Sequence, residues 1–134
     1  MKTFLFTHGM TFLAGGLYAL AYPSELGGGW FPLVFVAVPL FLWFLENSSF
    51  KESLSLILAY NLGLNAFGYY WIPHTLREFG QLPWIISVIL GLLFSLILQP
   101  HWWIYALTRK YRPKRNWADE QGVITLAFLM TVLE

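Results

Sequence analysis

Charged residues are missing from four long stretches of this chain and gather in the short segments between them. That segregation restricts the possible folds more than any motif does. The uncharged runs extend from about Phe4 to Tyr22, from Trp30 to Leu45, from Ser53 to Ile72 and from Trp84 to Leu107. A helix needs about 20 predominantly apolar residues to cross a hydrocarbon core about 30 Å thick, and the four runs are read as spans on that measure. A fifth run begins near Gln121, reaches Glu134 and is too short to cross. The second run is also short and contains Pro39, which a bundle tolerates where neighbouring helices satisfy the freed carbonyl.

Composition points the same way. Of the 134 residues 57% are hydrophobic and 11% charged, with a mean hydropathy of +0.58. An ordinary soluble domain carries roughly 25% charged residues. An aromatic content of 19% excludes a disordered chain. The expected fold is therefore all-α, a polytopic transmembrane helix bundle. It forms a single domain over 1–134, with four full spans at about 4–22, 30–45, 53–72 and 84–107 and a truncated fifth at 121–134.

The linkers carry the Pro, Gly and charge expected of boundaries: Pro23 to Gly29, Glu46 to Ser49, Pro73 to Pro83 and Arg109 to Glu120. Tyr22, Trp30, Trp43, Tyr69, Tyr70, Trp71, Trp84 and Tyr105 lie at the same edges, where amphipathic rings settle at headgroup level. If the spans alternate from a cytoplasmic N-terminus, Lys2, Lys51, Arg109, Lys110, Arg112, Lys114 and Arg115 lie inside and only Arg77 outside. Positive charge on the inner side is the normal determinant of topology. The basic run after Arg109 is assigned that role, and no nucleic-acid partner is expected. Lys2, the following apolar stretch and Ala19-Leu20-Ala21 imitate a signal peptide, but the second run begins outside with or without cleavage.

Chemistry-bearing clusters are few. The runs hold no Asp, Glu, Lys or Arg, which argues against a proton-coupled exporter. There is no cysteine, phosphate loop, nucleophile elbow or zinc motif, so neither a metal nor a cofactor is expected. His101, between Pro100 and Trp102, is read as packing or hydrogen-bonding in the bundle near a proline kink, and not as a ligand or proton carrier. Asn61, Asn65 and Gly68 fall at i, i+4 and i+7 of the third run and predict a helix-packing stripe. The densest polar cluster is the external loop from Trp71 to Gln81. There Trp71, His74, Arg77, Glu78 and Phe79 are candidate contacts for phospholipid, with Arg77 on a headgroup phosphate. His74 and Glu78 could face one another only if that loop were helical, and with no nucleophile they perform no acyl transfer.

The order of features resembles the membrane half of bacterial apolipoprotein N-acyltransferases. Tyr22-Pro23, Trp30-Phe31-Pro32-Leu33 and Val38-Pro39-Leu40 look like that family's first hairpin. Gly63, Asn65, Gly68, Tyr70, Trp71 and Ile72, then Leu76, Phe79 and Gly80, look like its third span and the loop that follows, with Gln81 where the family has a second Gly. Thr131-Val132-Leu133-Glu134 looks like a Glu-bearing point in its fifth span. The resemblance implies transfer of an acyl chain from phospholipid to the α-amino group of a diacylated lipoprotein cysteine, on the periplasmic face of the inner membrane. It also implies that the chemistry belongs to a nitrilase-like α/β domain with a Glu–Lys–Cys triad, for which these residues have neither the cysteine nor the length.

The expected partners are therefore membrane phospholipids, lipoproteins, and a separate polypeptide carrying the remaining spans and the catalytic domain. On this expectation the chain is a fragment or split form, inactive alone. The rival is a stand-alone lipid- or lipoprotein-binding subunit or a small transporter.

Overall fold

The computed structural model describes residues 2–22, 29–97 and 99–111, among which every regular element is a helix and none is a strand. The order is α1 (Lys2–Leu20), a 3-10 turn (Phe31–Leu33), α2 (Val34–Glu46), α3 (Phe50–Gly68), α4 (Trp71–Gly80), α5 (Trp84–Ile97) and α6 (Pro100–Tyr111). The expected fifth run lies outside the described residues.

Side-chain pairs fix the direction of each stroke. His8 Nε2 lies 2.8 Å from Ser55 Oγ near the starts of α1 and α3, and a Cβ on Gly68 would sit 3.1 Å from the Ala19 Cβ near their ends. These two helices are therefore parallel. Between them α2 returns: the Trp30 N–H donates to the Leu20 carbonyl at one end, and Ser48 Oγ lies 2.8 Å from Ser53 Oγ at the other. The last stroke runs down α5 and α6, antiparallel to α3, while α4 caps the end where α3 finishes.

The closest approach is between α1 and α3. A Cβ on Gly15 would collide with the Tyr60 carbonyl, and one on Gly63 with the Phe12 carbonyl, so only glycine allows the two backbones to meet. Where α2, α3 and α6 converge, Phe41 stacks on Tyr60 with centroids 4.2 Å apart and meets the Trp102 edge at 4.7 Å. All three rings are fully buried. At the start of α3 the Ser49 hydroxyl accepts from the Glu52 N–H at 3.4 Å, using the Ser-x-x-Glu spacing of a capping box.

Two stretches differ from their sequence-based expectations. Pro73 to Pro83, expected as a loop, is largely α4: Pro73 sits in the first turn, where its missing N–H costs no helical bond. The run from Trp84 to Leu107, expected as one helix, is two. Pro100 disfavours helical backbone at Gln99 and then opens α6 as its first residue.

No helix among the described residues is long and apolar enough to cross a membrane. α2, α5 and α6 have 13, 14 and 12 residues. α1 and α3, at 19 residues or about 28 Å of rise, mix polar positions among the apolar ones. Large apolar side chains nonetheless face outward along α5, with Ile85 and Ile97 more than 70% exposed.

Candidate functional site

After α3 the chain turns at Tyr69 and Tyr70, with the Tyr69 N–H donating to the Asn65 carbonyl and the Ile72 N–H to the Tyr69 carbonyl. α4 then lies against α5 so closely that a Cβ on Gly91 would be 2.8 Å from Pro73 Cγ. Ile72 is buried, and Pro73, Thr75 and Leu76 are half-buried against the bundle. The helix ends at Gln81, whose φ of 51° reverses the chain toward α5.

The candidate residues occupy the outward edge of this helix. Trp71, His74, Arg77, Glu78 and Phe79 are all exposed. Helical geometry puts His74 and Glu78 one turn apart, with Trp71 a turn before His74. The Arg77 guanidinium carbon lies 5.7 Å from the Trp84 ring centroid, within cation–π range. Phe79 lies two turns after the buried Ile72 on the same helical face, yet in the last turn it is 87% exposed. The edge thus offers a cation braced on an indole, an imidazole, a carboxylate and two apolar rings, but no thiol or exposed hydroxyl.

The packing stripe contacts two different partners. Asn65 Nδ2 donates to the Gly91 carbonyl of α5 at 3.2 Å, while Gly68 faces Ala19 of α1. Asn61 is fully buried, as is His101 near the start of α6.

A third cluster lies at the opposite end, and its pairing was not anticipated from the sequence. Arg109 of α6 reaches the end of α2: Nη1 donates to the Leu45 carbonyl and, at 2.9 Å, to Ser53 Oγ. Nη2 donates to the Ser48 carbonyl and, at 2.9 Å, to the Glu46 carbonyl. Nε lies 3.6 Å from Glu46 Oε2, and the Tyr105 hydroxyl donates to the other Glu46 oxygen. Lys110 Nζ sits 5.0 Å from the Phe50 ring centroid. The available signal was that Glu46 and Arg109 are opposite charges closing two runs on the same expected side.

Comparison with known proteins identifies the family. An apolipoprotein N-acyltransferase from Bdellovibrio bacteriovorus is 33% identical over 106 residues, covering 76% of this chain and 19% of that protein. The chain thus matches about a fifth of that relative's length. No solved structure matches it. The description of the apolipoprotein N-acyltransferase N-terminal domain matches residues 14–134, nearly the whole sequence from the second half of α1 onward, and the chain belongs to that family.

Proposed function

We propose that these residues form the membrane-embedded scaffold of an apolipoprotein N-acyltransferase in a bacterial inner membrane, with the N-terminus cytoplasmic and α4 on the outer face. One observation supports this beyond the family match. Charge occurs at the two ends of the helical strokes, at Glu46, Lys51, Glu52, Arg109 and Lys110 on one end and Arg77 and Glu78 on the other, while the surface between is apolar. A belt of exposed Ile, Leu and Phe between polar ends suits a lipid environment. The α5–α6 break is compatible with that placement, because irregular backbone is tolerated at membrane depth where protein surrounds it.

In this role the scaffold presents α4 to phospholipid and lipoprotein, and the acyl-transfer chemistry is supplied by another polypeptide segment. The chain has no cysteine and so cannot form a thioester intermediate. Purified and reconstituted in phosphatidylethanolamine vesicles with a diacylated lipopeptide, it is expected to yield no triacylated product by mass spectrometry. Appearance of that product would overturn the non-catalytic assignment.

The α4 edge supplies a second expectation. Arg77→Ala should weaken retention of phosphatidylglycerol by about fivefold, the effect of losing about 1 kcal/mol for one basic residue at a lipid surface. Arg77→Lys should recover most of it. Native mass spectrometry of lipid-bound protein reads the change, and equal retention by wild type and Arg77→Ala would remove Arg77 from headgroup binding.

A further inference from the structure

α5 ends at Ile97 and α6 begins at Pro100. Pro100 has no N–H to continue the ladder of α5, so carbonyls in the last turn of α5 lack helical donors. The Trp102 N–H restarts the helix by donating to the Gln99 carbonyl at 3.3 Å. Around this break four polar side chains are at least nine-tenths buried: Asn61, His101 and Trp102 completely, and Gln99 to within 6% exposure. Among the described residues Asn61 Nδ2 and Oδ1, Gln99 Oε1, His101 Nδ1 and Nε2, and Trp102 Nε1 have no protein hydrogen-bond partner.

Helix register brings Asn61 to the level of His101. Tyr60 meets Trp102, with centroids 5.8 Å apart, and Ser53 meets Arg109. In these two pairs each step down α3 is matched by one step along α6, and the same register sets Asn61 level with His101. The His101 and Trp102 rings are themselves 4.9 Å apart. Asn65, one turn from Asn61 on the same face, already reaches across to the Gly91 carbonyl, so this face of α3 is directed at the final stroke.

The chemistry of the unpartnered atoms identifies what they can hold. Asn61 Nδ2, one imidazole nitrogen and Trp102 Nε1 donate, whereas Asn61 Oδ1, Gln99 Oε1 and the other imidazole nitrogen accept. An anion would satisfy only the donors, and a cation only the acceptors. No charged residue occurs within Ser53–Gly68, within α5, or in α6 before Arg109 to balance an ion. A neutral molecule that both donates and accepts suits the set. We propose that the α5–α6 break houses an internal water site bounded by Asn61, Gln99, His101 and Trp102. At about three hydrogen bonds per buried water, about two waters serve these six atoms. The site does not depend on the acyltransferase assignment or on the α4 edge.

Synchrotron X-ray footprinting of the full chain in lipid nanodiscs tests the proposal, because hydroxyl radicals form from water in place. After correction for intrinsic reactivity, His101 and Trp102 should oxidise several-fold faster than Leu56 and Ile57, which are equally buried. Oxidation no faster than at those two residues overturns the proposal. Asn61→Leu, close in size, supplies an independent arm. At a hydrated site it lowers both Trp102 oxidation and the melting temperature. At a dry site it raises the melting temperature by removing an unpaired amide, and that rise overturns the proposal. If the variant does not fold, the wild-type comparison decides.

Discussion

A Gly63→Val substitution is expected to force α1 away from α3 and to destabilise the bundle by about 3 kcal/mol, the upper part of the range for overpacking a filled interior. The magnitude follows from what blocks the new side chain. A Cβ at position 63 meets the Phe12 carbonyl oxygen and carbon, then the Gly16 backbone nitrogen. None of these atoms can be moved by a rotamer change, so relief requires a whole helix to shift. That shift would also part Gly15 from the Tyr60 carbonyl and disturb Tyr60 itself, which stacks on Phe41 in the centre of the core. Gly9→Val is the matched control, since nothing lies within 4 Å of a Cβ built there. Thermal unfolding followed by tryptophan fluorescence in detergent should separate the two variants widely, with Gly9→Val near wild type. Equal melting of Gly63→Val and wild type would mean that the α1–α3 crossing is looser than described.

The α1–α3 pairing was only partly legible. Charge segregation located both helices within a few residues, and Asn61, Asn65 and Gly68 could be placed on one face by counting. The direction of that face could not be counted, because it depends on which neighbour each position meets: Gly68 faces Ala19, whereas Asn65 reaches Gly91. The spacing of Gly15 and Gly63 was visible too, but nothing local says that two glycines 48 positions apart will lie on one helix crossing.

α4 was missed for a different reason. Pro73, Arg77, Glu78 and Gly80 look like breakers when counted as composition, which predicts a loop. The helical signal was Ile72, Thr75, Leu76 and Phe79, an i, i+3, i+4, i+7 pattern with proline confined to the first turn. The α5–α6 break leaves no trace in the charge pattern, because Gln99-Pro100 interrupts a helix without adding a charge. Charge locates the ends of a stroke well, but backbone hydrogen bonding decides whether the stroke is one helix or two.

Arg109→Ala is the second large expected effect, and its signature differs from that of Gly63→Val. α2 ends at Glu46 with carbonyls that no following helical N–H can reach. The Arg109 fork supplies donors to the Leu45, Glu46 and Ser48 carbonyls and to Ser53 Oγ, joining α6 to the α2–α3 turn. Its removal does not leave every group bare: Ser48 Oγ still donates to the Leu45 carbonyl at 2.7 Å, and the Tyr105 hydroxyl still donates to Glu46. The expected loss is therefore about 2–3 kcal/mol, the range for hydrogen bonds to a charged group. Amide exchange should rise by about 30- to 150-fold in the turn around Asn47 and Ser48, and at most slightly along the α1–α3 crossing. Arg109→Lys keeps the charge but cannot present two parallel N–H groups, so it should fall between wild type and alanine. High salt separates the two components of the clamp. It screens the Arg109–Glu46 attraction but not the bonds to backbone carbonyls, so most of the difference between wild type and Arg109→Ala should persist. A difference that vanishes at high salt would reduce Arg109 to one half of an ordinary surface ion pair.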